Sequence, residues 1–206
     1  MAKPSKYSNF KRKVNTRKQN RTILIFCGAE ETEPNYFKAF KTYTSQVIRV
    51  RGIKQNTVPL IREALKYIKA DKHTYDSVWC VFDKDDFTDF NDAIDLATSN
   101  GIHCAYSNKC FEVWLLMHFG KSPTGTPKQL ESQLNQLFIK ELNLKEGYKK
   151  NQKNLLELLK AQQSIAIQIA ERHYEDRHRY GKTPQDQSPV TTVFKLVKEL
   201  NANLRV

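Results

Sequence analysis

Apolar residues along this chain come first in short runs and later at wider, helical spacing. Thr22-Ile23-Leu24-Ile25-Phe26-Cys27 and Val78-Trp79-Cys80-Val81-Phe82 are nearly unbroken apolar runs, the pattern of strands buried on both faces of a parallel sheet. Val47-Ile48-Arg49-Val50 and residues 102–106 complete four predicted strands. Helical patterns alternate with them. One begins at Glu33-Pro34, with Thr32 as its cap and proline in the first turn. Residues 57–72 carry Val58, Ile61, Leu65 and Ile68 at helical spacing. Residues 89–100 form a third helix, stopped by Asn100-Gly101, and residues 110–119 a strongly apolar fourth. The alternation predicts an α/β fold: a roughly four-stranded, mainly parallel sheet with helices on both faces and right-handed crossovers. Beyond Lys121 the character changes. A Pro/Gly/Thr-rich link (122–127) leads to predicted helices over 128–142, 151–179 and 189–201, the last opened by Ser188-Pro189, with no strands. The expected organisation is a basic arm over 1–21, the α/β core over 22–120, and a helical C-terminal region over 121–206 that covers the core.

Carboxylates recur where these strands end. The third predicted strand runs into Asp83-Lys84-Asp85, and alternation along a strand places the two acids on one side. Carboxylates held that close repel unless a proton or a cation lies between them. A hard divalent ion with oxygen ligands, Mg2+ or Mn2+, meets that need; a solvated turn after a buried strand is the plainer alternative. The first strand is followed by Glu30, Glu31 and Glu33, and the fourth leads into the helix holding Glu112. Glu112 sits among Phe111, Val113, Trp114 and Leu115, and an acid so placed needs either a metal or the favourable dipole of a helix start. Open α/β sheets bind ligands at the carboxyl edge. Converging there, these acids would hold one or two ions able to clamp a phosphodiester. Lys149 and Lys150 would neutralise a phosphate or simply be solvated, and Ser107 and Asn108 read as a helix cap. With no glycine-rich phosphate loop, ATP hydrolysis by the chain itself is not expected.

Charge adds a partner. The 206 residues carry a net charge of +12, and Lys3, Lys6, Lys11, Arg12, Lys13, Arg17, Lys18 and Arg21 supply +8 of it without one acid. Such an arm suits a phosphate backbone, DNA or RNA, though a solvated tail has the same composition. The residues assigned to nucleic-acid contact are Lys11, Arg12, Lys13, Arg17, Lys18 and Arg21. No apolar run approaches a membrane span, and the basic amino-terminal stretch lacks the apolar core of a secretion signal. The four cysteines form no Cys-x-x-Cys pair and read as buried thiols of a cytoplasmic protein. A zinc site from them with His103 or His118 fits no common spacing.

Three segments, in order and spacing, resemble the RloB-like family: Cys27 through Thr32-Glu33-Pro34-Asn35-Tyr36-Phe37, then Val81-Phe82-Asp83-Lys84-Asp85-Asp86, then Ser107-Asn108-Lys109-Cys110-Phe111-Glu112-Val113-Trp114-Leu115-Leu116. Thr191-Thr192-Val193-Phe194-Lys195 is similar to the family's carboxyl-terminal helix. The resemblance implies a Toprim-like fold whose centre holds magnesium by a glutamate after the first strand and an Asp-x-Asp after a later one. It also implies association with restriction-modification loci and phage defence, and an ABC/AAA-type ATPase partner. On that reading the chain is a nuclease subunit acting on DNA or tRNA. Glu33, Asp83 and Asp85 bind metal, and Glu30, Glu112 and Lys150 assist catalysis; a homo-oligomer is one arrangement open to the chain, and the sequence does not fix the oligomeric state. The family's Cys-Glu-Gly stands here as Cys27-Gly28-Ala29. Either Glu30 or Glu31 substitutes from a shifted loop, or the module binds nucleic acid or a partner without catalysis.

Overall fold

The computed structural model describes residues 20–202. Five strands form one sheet in the order β2-β1-β3-β4-β5: β1 (Thr22–Cys27), β2 (Val47–Gly52), β3 (Ser77–Asp83), β4 (His103–Asn108) and β5 (Val190–Thr191). The first four are mutually parallel, and β5 lies antiparallel to β4. Both central strands are buried on two faces, and side-chain alternation divides them between two cores. Ile23, Ile25, Cys27, Trp79 and Val81 point into one; Leu24, Phe26, Cys80 and Phe82 point into the other.

Helices close both faces. α2 (Thr57–Ala70) and α3 (Phe90–Ser99) cover the smaller core through Leu60, Ile61, Ala64, Phe90, Ala93 and Ala97. The larger core is covered by α1 (Thr32–Ala39), α4 (Glu112–Met117), α5 (Pro127–Lys140), α6 (Leu155–Leu159), α7 (Gln163–Arg179) and α8 (Val193–Asn201). α5 starts with a capping box, Thr126 and Gln129 bonding reciprocally, and Pro127 occupies its first turn.

Several boundaries differ from the sequence expectation. The sheet has a fifth strand where a helix start was predicted. Ser188-Pro189 is a cis peptide, Val190-Thr191 pairs with Asn108 and Ser107, and the helix begins only at Val193. Two residues are too few to show a strand period, and a proline before an edge strand looks like one opening a helix. The predicted helix over 151–179 is broken by a 3-10 turn at Lys160–Gln162, so that Leu155, Leu156 and Leu159 reach the same core as Ala166 and Ala170. The apolar helix after β4 is shorter than expected, because Val113 and Trp114 bond the carbonyls of Cys110 and Phe111 at the tighter three-residue spacing.

One carboxylate ties the end of the chain to the sheet. Glu199 on α8 accepts from the Ser77 hydroxyl at 2.8 Å and from the Trp79 indole at 2.8 Å, and pairs with Arg21 at 3.0 Å. Its backbone oxygen accepts from the Gln46 amide at 3.1 Å. Removing the carboxylate leaves a buried indole N–H and hydroxyl unpaired, at about 1–3 kcal/mol for each. Glu199→Ala should therefore lower the unfolding free energy in urea by roughly 2–4 kcal/mol, with Glu199→Gln losing less. A loss below about 0.5 kcal/mol for both would show that α8 docks without this anchor.

Candidate active site at the switch point of the sheet

The chain leaves β1 toward β2 on one side and returns past β1 to form β3 on the other. Between β1 and β3 the connections therefore depart in opposite directions, which opens a crevice at the carboxyl ends of these two strands. Glu33 enters it from the first turn of α1, and Asp83 is the last residue of β3. Asp85 lies beyond the strand, in a turn with φ of +36°, where its amide donates to the Lys109 carbonyl at 3.0 Å. Strand alternation thus does not place Asp85; the turn does, in a left-handed conformation that Asp tolerates better than most residues.

Glu33, Asp83, Asp85 and Glu112 lie within electrostatic reach of one another. Glu33 is only 3% exposed, and its Oε2 is buried without a hydrogen-bond partner; Asp83 Oδ1 is likewise buried and unpartnered. Burial is the main cause that lifts the Glu33 carboxyl from the ordinary 4.5 to about 7, with Glu112 and Asp85 pushing the same way and Lys150 opposing. Asp83 is raised well above the usual range by burial, then by Glu33, Glu112 and Asp85. Asp85 is raised by partial burial and by Glu112 and Asp86, against Lys150 and Lys84.

Glu112 opens α4, is buried, and is better supplied than its neighbours. The Tyr148 hydroxyl donates to its Oε1 at 3.0 Å, and the Lys150 ammonium stands 3.8 Å from the same atom. Lys150 also faces Glu131 at 3.4 Å. Partial burial lowers the Lys150 pKa, but Glu112 and Glu131 outweigh it, and the net shift is upward. The Lys150 segment is held against α1: the Thr32 hydroxyl donates to the Lys150 carbonyl at 2.7 Å, and the Asn35 amide to that of Asn151 at 3.3 Å. Thr32 therefore bonds a distant loop rather than capping its own helix, whose cap position is Glu31.

The sequence-selected residues divide. Glu33, Asp83, Asp85, Glu112 and Lys150 are brought together. Glu30 is not: it is exposed and pairs with Lys54 at 3.5 Å, and Glu31 is exposed beside it. Neither stands in for the missing glutamate at Gly28. A Cβ on Gly28 would lie 3.2 Å from both Asn56 Oδ1 and the Gln55 carbonyl, so Asn56 crowds that place. Asn56 was not singled out by sequence, yet its Oδ1 accepts from the amides of Thr57 at 3.1 Å and Asp83 at 3.3 Å, linking the start of α2 to the end of β3. Tyr148 was also missed; the turn at Gly147 (φ +65°), where a Cβ would strike Asn135, is the signal that fixes it. Ser107 and Asn108 belong to β4 and cap nothing: Ser107 bonds Thr191, and Asn108 holds the Pro184 and Gln185 carbonyls. Arg21 is engaged with Glu199, while Lys11, Arg12, Lys13, Arg17 and Lys18 lie outside the described residues. All four cysteines are free.

Among the described residues, no three His, Cys, Asp or Glu side chains are arranged to enclose a metal ion. The donor chemistry nevertheless fits a hard cation. The groups are all carboxylates, and two of them keep buried oxygens with nothing to bond. Without a cation the demand is met by protons, which reverses the usual acid dependence of stability. A carboxyl whose folded pKa lies above its unfolded value binds its proton more tightly when folded, so stability falls as pH rises between the two values. For Glu33 that interval runs from 4.5 to about 7. In the absence of divalent ions, Glu33 alone should lower stability by about 3 kcal/mol as pH rises between roughly 4.5 and 7, and Glu33→Gln should make the profile shallower. Denaturation midpoints across that range check this; a flat wild-type profile would show that the charge on Glu33 is already compensated.

No helix among the described residues is long and apolar enough to cross a membrane. No curated protein and no solved structure matches the chain. The model of the family described as RloB-like protein matches residues 23–200, a span that takes in all of the sheet but the first residue of β1, and all of the converging acids. The chain belongs to the RloB-like family.

Proposed function

We propose that this protein is a divalent-metal-dependent phosphodiester hydrolase with a Toprim-like core, a nuclease subunit acting in the cytoplasm in defence against phage. The single observation that supports it most is the pair of unpartnered, buried carboxylate oxygens on Glu33 and Asp83 at the switch point of the sheet. Burying two such atoms is unfavourable unless something satisfies them. Glu33, Asp83 and Asp85 would hold Mg2+ or Mn2+, and a bound ion would supply positive charge to polarise a phosphoryl oxygen.

The remaining residues have separate tasks. Lys150, held at the rim by Glu112 and Glu131, offers its ammonium to a phosphate oxygen. Glu112 fixes Lys150 and Tyr148 and adds to the field that favours a cation. Glu30, exposed and paired with Lys54, has no part in the chemistry. The basic residues before β1 recruit DNA or tRNA through the backbone. The missing phosphate loop and the resemblance of the sequence support an ABC/AAA-type ATPase as partner.

A second reading is a non-catalytic module that binds nucleic acid or a partner. The crowding of Gly28 by Asn56 and the lack of three acids already enclosing an ion favour it. Calorimetric titration with Mg2+ and Mn2+ separates the two. The nuclease reading expects binding that Asp83→Asn abolishes and Glu30→Gln leaves intact. It also expects cleavage of DNA or tRNA, alone or with an ATPase, that Asp83→Asn lowers by about 100-fold or more. At a metal concentration about 100 times Kd, unfolding should be delayed by about 2.7 kcal/mol. Absence of metal binding, with nucleic-acid binding kept, would establish the second reading.

A further inference from the structure

Beside the acid site, at Asp85, lies a cleft of about 740 Å3. Its walls are the turn after β3 (Lys84, Asp85, Phe87), the end of β4 (Asn108, Lys109), the start of α5, and the segment that precedes β5. Asp85 belongs to both places, so the cleft borders the acid site.

Phe87 is the unusual feature. Among the described residues most aromatic side chains are buried; Tyr180 is more exposed but lies away from the cleft, and Phe87 is 41% exposed at the cleft wall. Its turn is held firmly: the Lys84 amide donates to the Ser107 carbonyl at 2.9 Å, that of Asp85 to Lys109 at 3.0 Å, and that of Phe87 to Lys84 at 3.0 Å. The opposite wall is fixed to β4 by the Asn108 amide, which donates to the Pro184 and Gln185 carbonyls at 2.9 and 2.8 Å. An exposed ring on a tethered turn is a stacking platform whose backbone needs no further ordering.

The charges beside the ring narrow the ligand. Lys84 and Lys109 line the same cleft, and neither forms an ion pair among the described residues. Asp85 and Asp86 lie there too, which disfavours a free anion. A ligand that brings a flat π face and a singly charged diester phosphate, the phosphate at the two lysines and away from Asp85 and Asp86, fits these walls. A cleft of this volume takes about one nucleotide with its flanking phosphates. Bases in a duplex keep both faces in the stack, so only an unpaired or extruded base reaches Phe87.

We propose that this cleft binds one unstacked nucleotide of a single-stranded nucleic acid, its base on the Phe87 ring and a flanking phosphate at Lys84 and Lys109, with the strand passing on toward Asp85 and Asp83. The assignment rests on the phosphodiesterase reading for its direction but not for its measurement. It makes Phe87 and Lys109 substrate-positioning residues and the preferred substrate a single strand, a loop or a frayed end.

Binding is read on the full chain in EDTA, where nothing is cleaved. A labelled oligothymidine, an oligouridine and a blunt duplex of equal length are titrated against wild type, Phe87→Ala, Phe87→Trp and Lys109→Glu. Phe87→Ala should weaken single-strand binding by roughly 5- to 150-fold, the range spanned by one base–aromatic stack. Duplex binding should change little. Phe87→Trp should retain affinity, and its added indole fluorescence should be quenched by the single strands and not by the duplex. Lys109→Glu should weaken single-strand binding and reduce its salt dependence. Equal single-strand affinity in Phe87→Ala, an unquenched Phe87→Trp, or no measurable oligonucleotide binding by wild type would overturn the proposal. If Phe87→Ala binds normally while Asp83-dependent cleavage persists, the cleft assignment fails and the hydrolase stands. If Phe87-dependent binding persists with no cleavage under any metal, the reverse holds.

Discussion

Burial of β1 and β3 on both faces is the constraint from which the rest of this structure follows. Each strand sends alternate side chains into two separate cores, so helices must close both sides, and every connection among the four parallel strands must cross over the sheet. A chain that goes from β1 outward to β2 and then returns to β3 necessarily leaves a gap at the carboxyl ends of β1 and β3. The gap is a by-product of winding. Which of the residues around these two strand ends enter it is set by the turns that follow, as buried Glu33 and exposed Glu30 show.

In this chain those residues are acids, and the winding brings them together against their mutual repulsion. Glu33 and Asp83 are pressed into a region where water does not reach one oxygen of each. Neighbouring charge supplies only part of the remedy, because Lys150 is shared between Glu112 and Glu131 at the rim. The site is therefore held in tension between burial, which favours the neutral acids, and the folded backbone, which does not let them separate. A proton relieves that tension at low pH, and a cation would relieve it at neutral pH.

The carboxyl-terminal helices do more than cover apolar surface. α8 reaches across to β3 through Glu199, and β5 extends the sheet from Ser107 and Asn108. The loop bearing Tyr148 and Lys150 is fixed from two sides, by Asn135 on α5, which accepts from the Tyr148 amide at 3.0 Å, and by Thr32 on α1. Residues more than 100 positions apart thus complete one half of the acid site from the other.

Much of this was legible in the sequence. Unbroken apolar runs marked β1 and β3 because two-sided burial leaves no polar positions in them, and helical spacing marked α2 and α3. Acids at the ends of those runs marked Glu33, Asp83 and Asp85, since a strand end in a parallel sheet has a fixed edge to face. Other features had no local signal. β5 is two residues long, and its pairing with β4 depends on a partner some 80 positions away, as the contact of Ser107 with Thr191 shows. Glu30 and Glu33 are indistinguishable by composition, and only the turn into α1 decides that one meets Lys54 in solvent while the other is buried. The occupation of the space beside Gly28 by Asn56, the hydroxyl of Tyr148 on Glu112, and the exposure of Phe87 over a cleft are likewise decisions of tertiary structure. Alternation and periodicity are properties of neighbouring residues and survive in the sequence; convergence of distant side chains depends on how the crossovers pack, and that is settled only when the chain has folded.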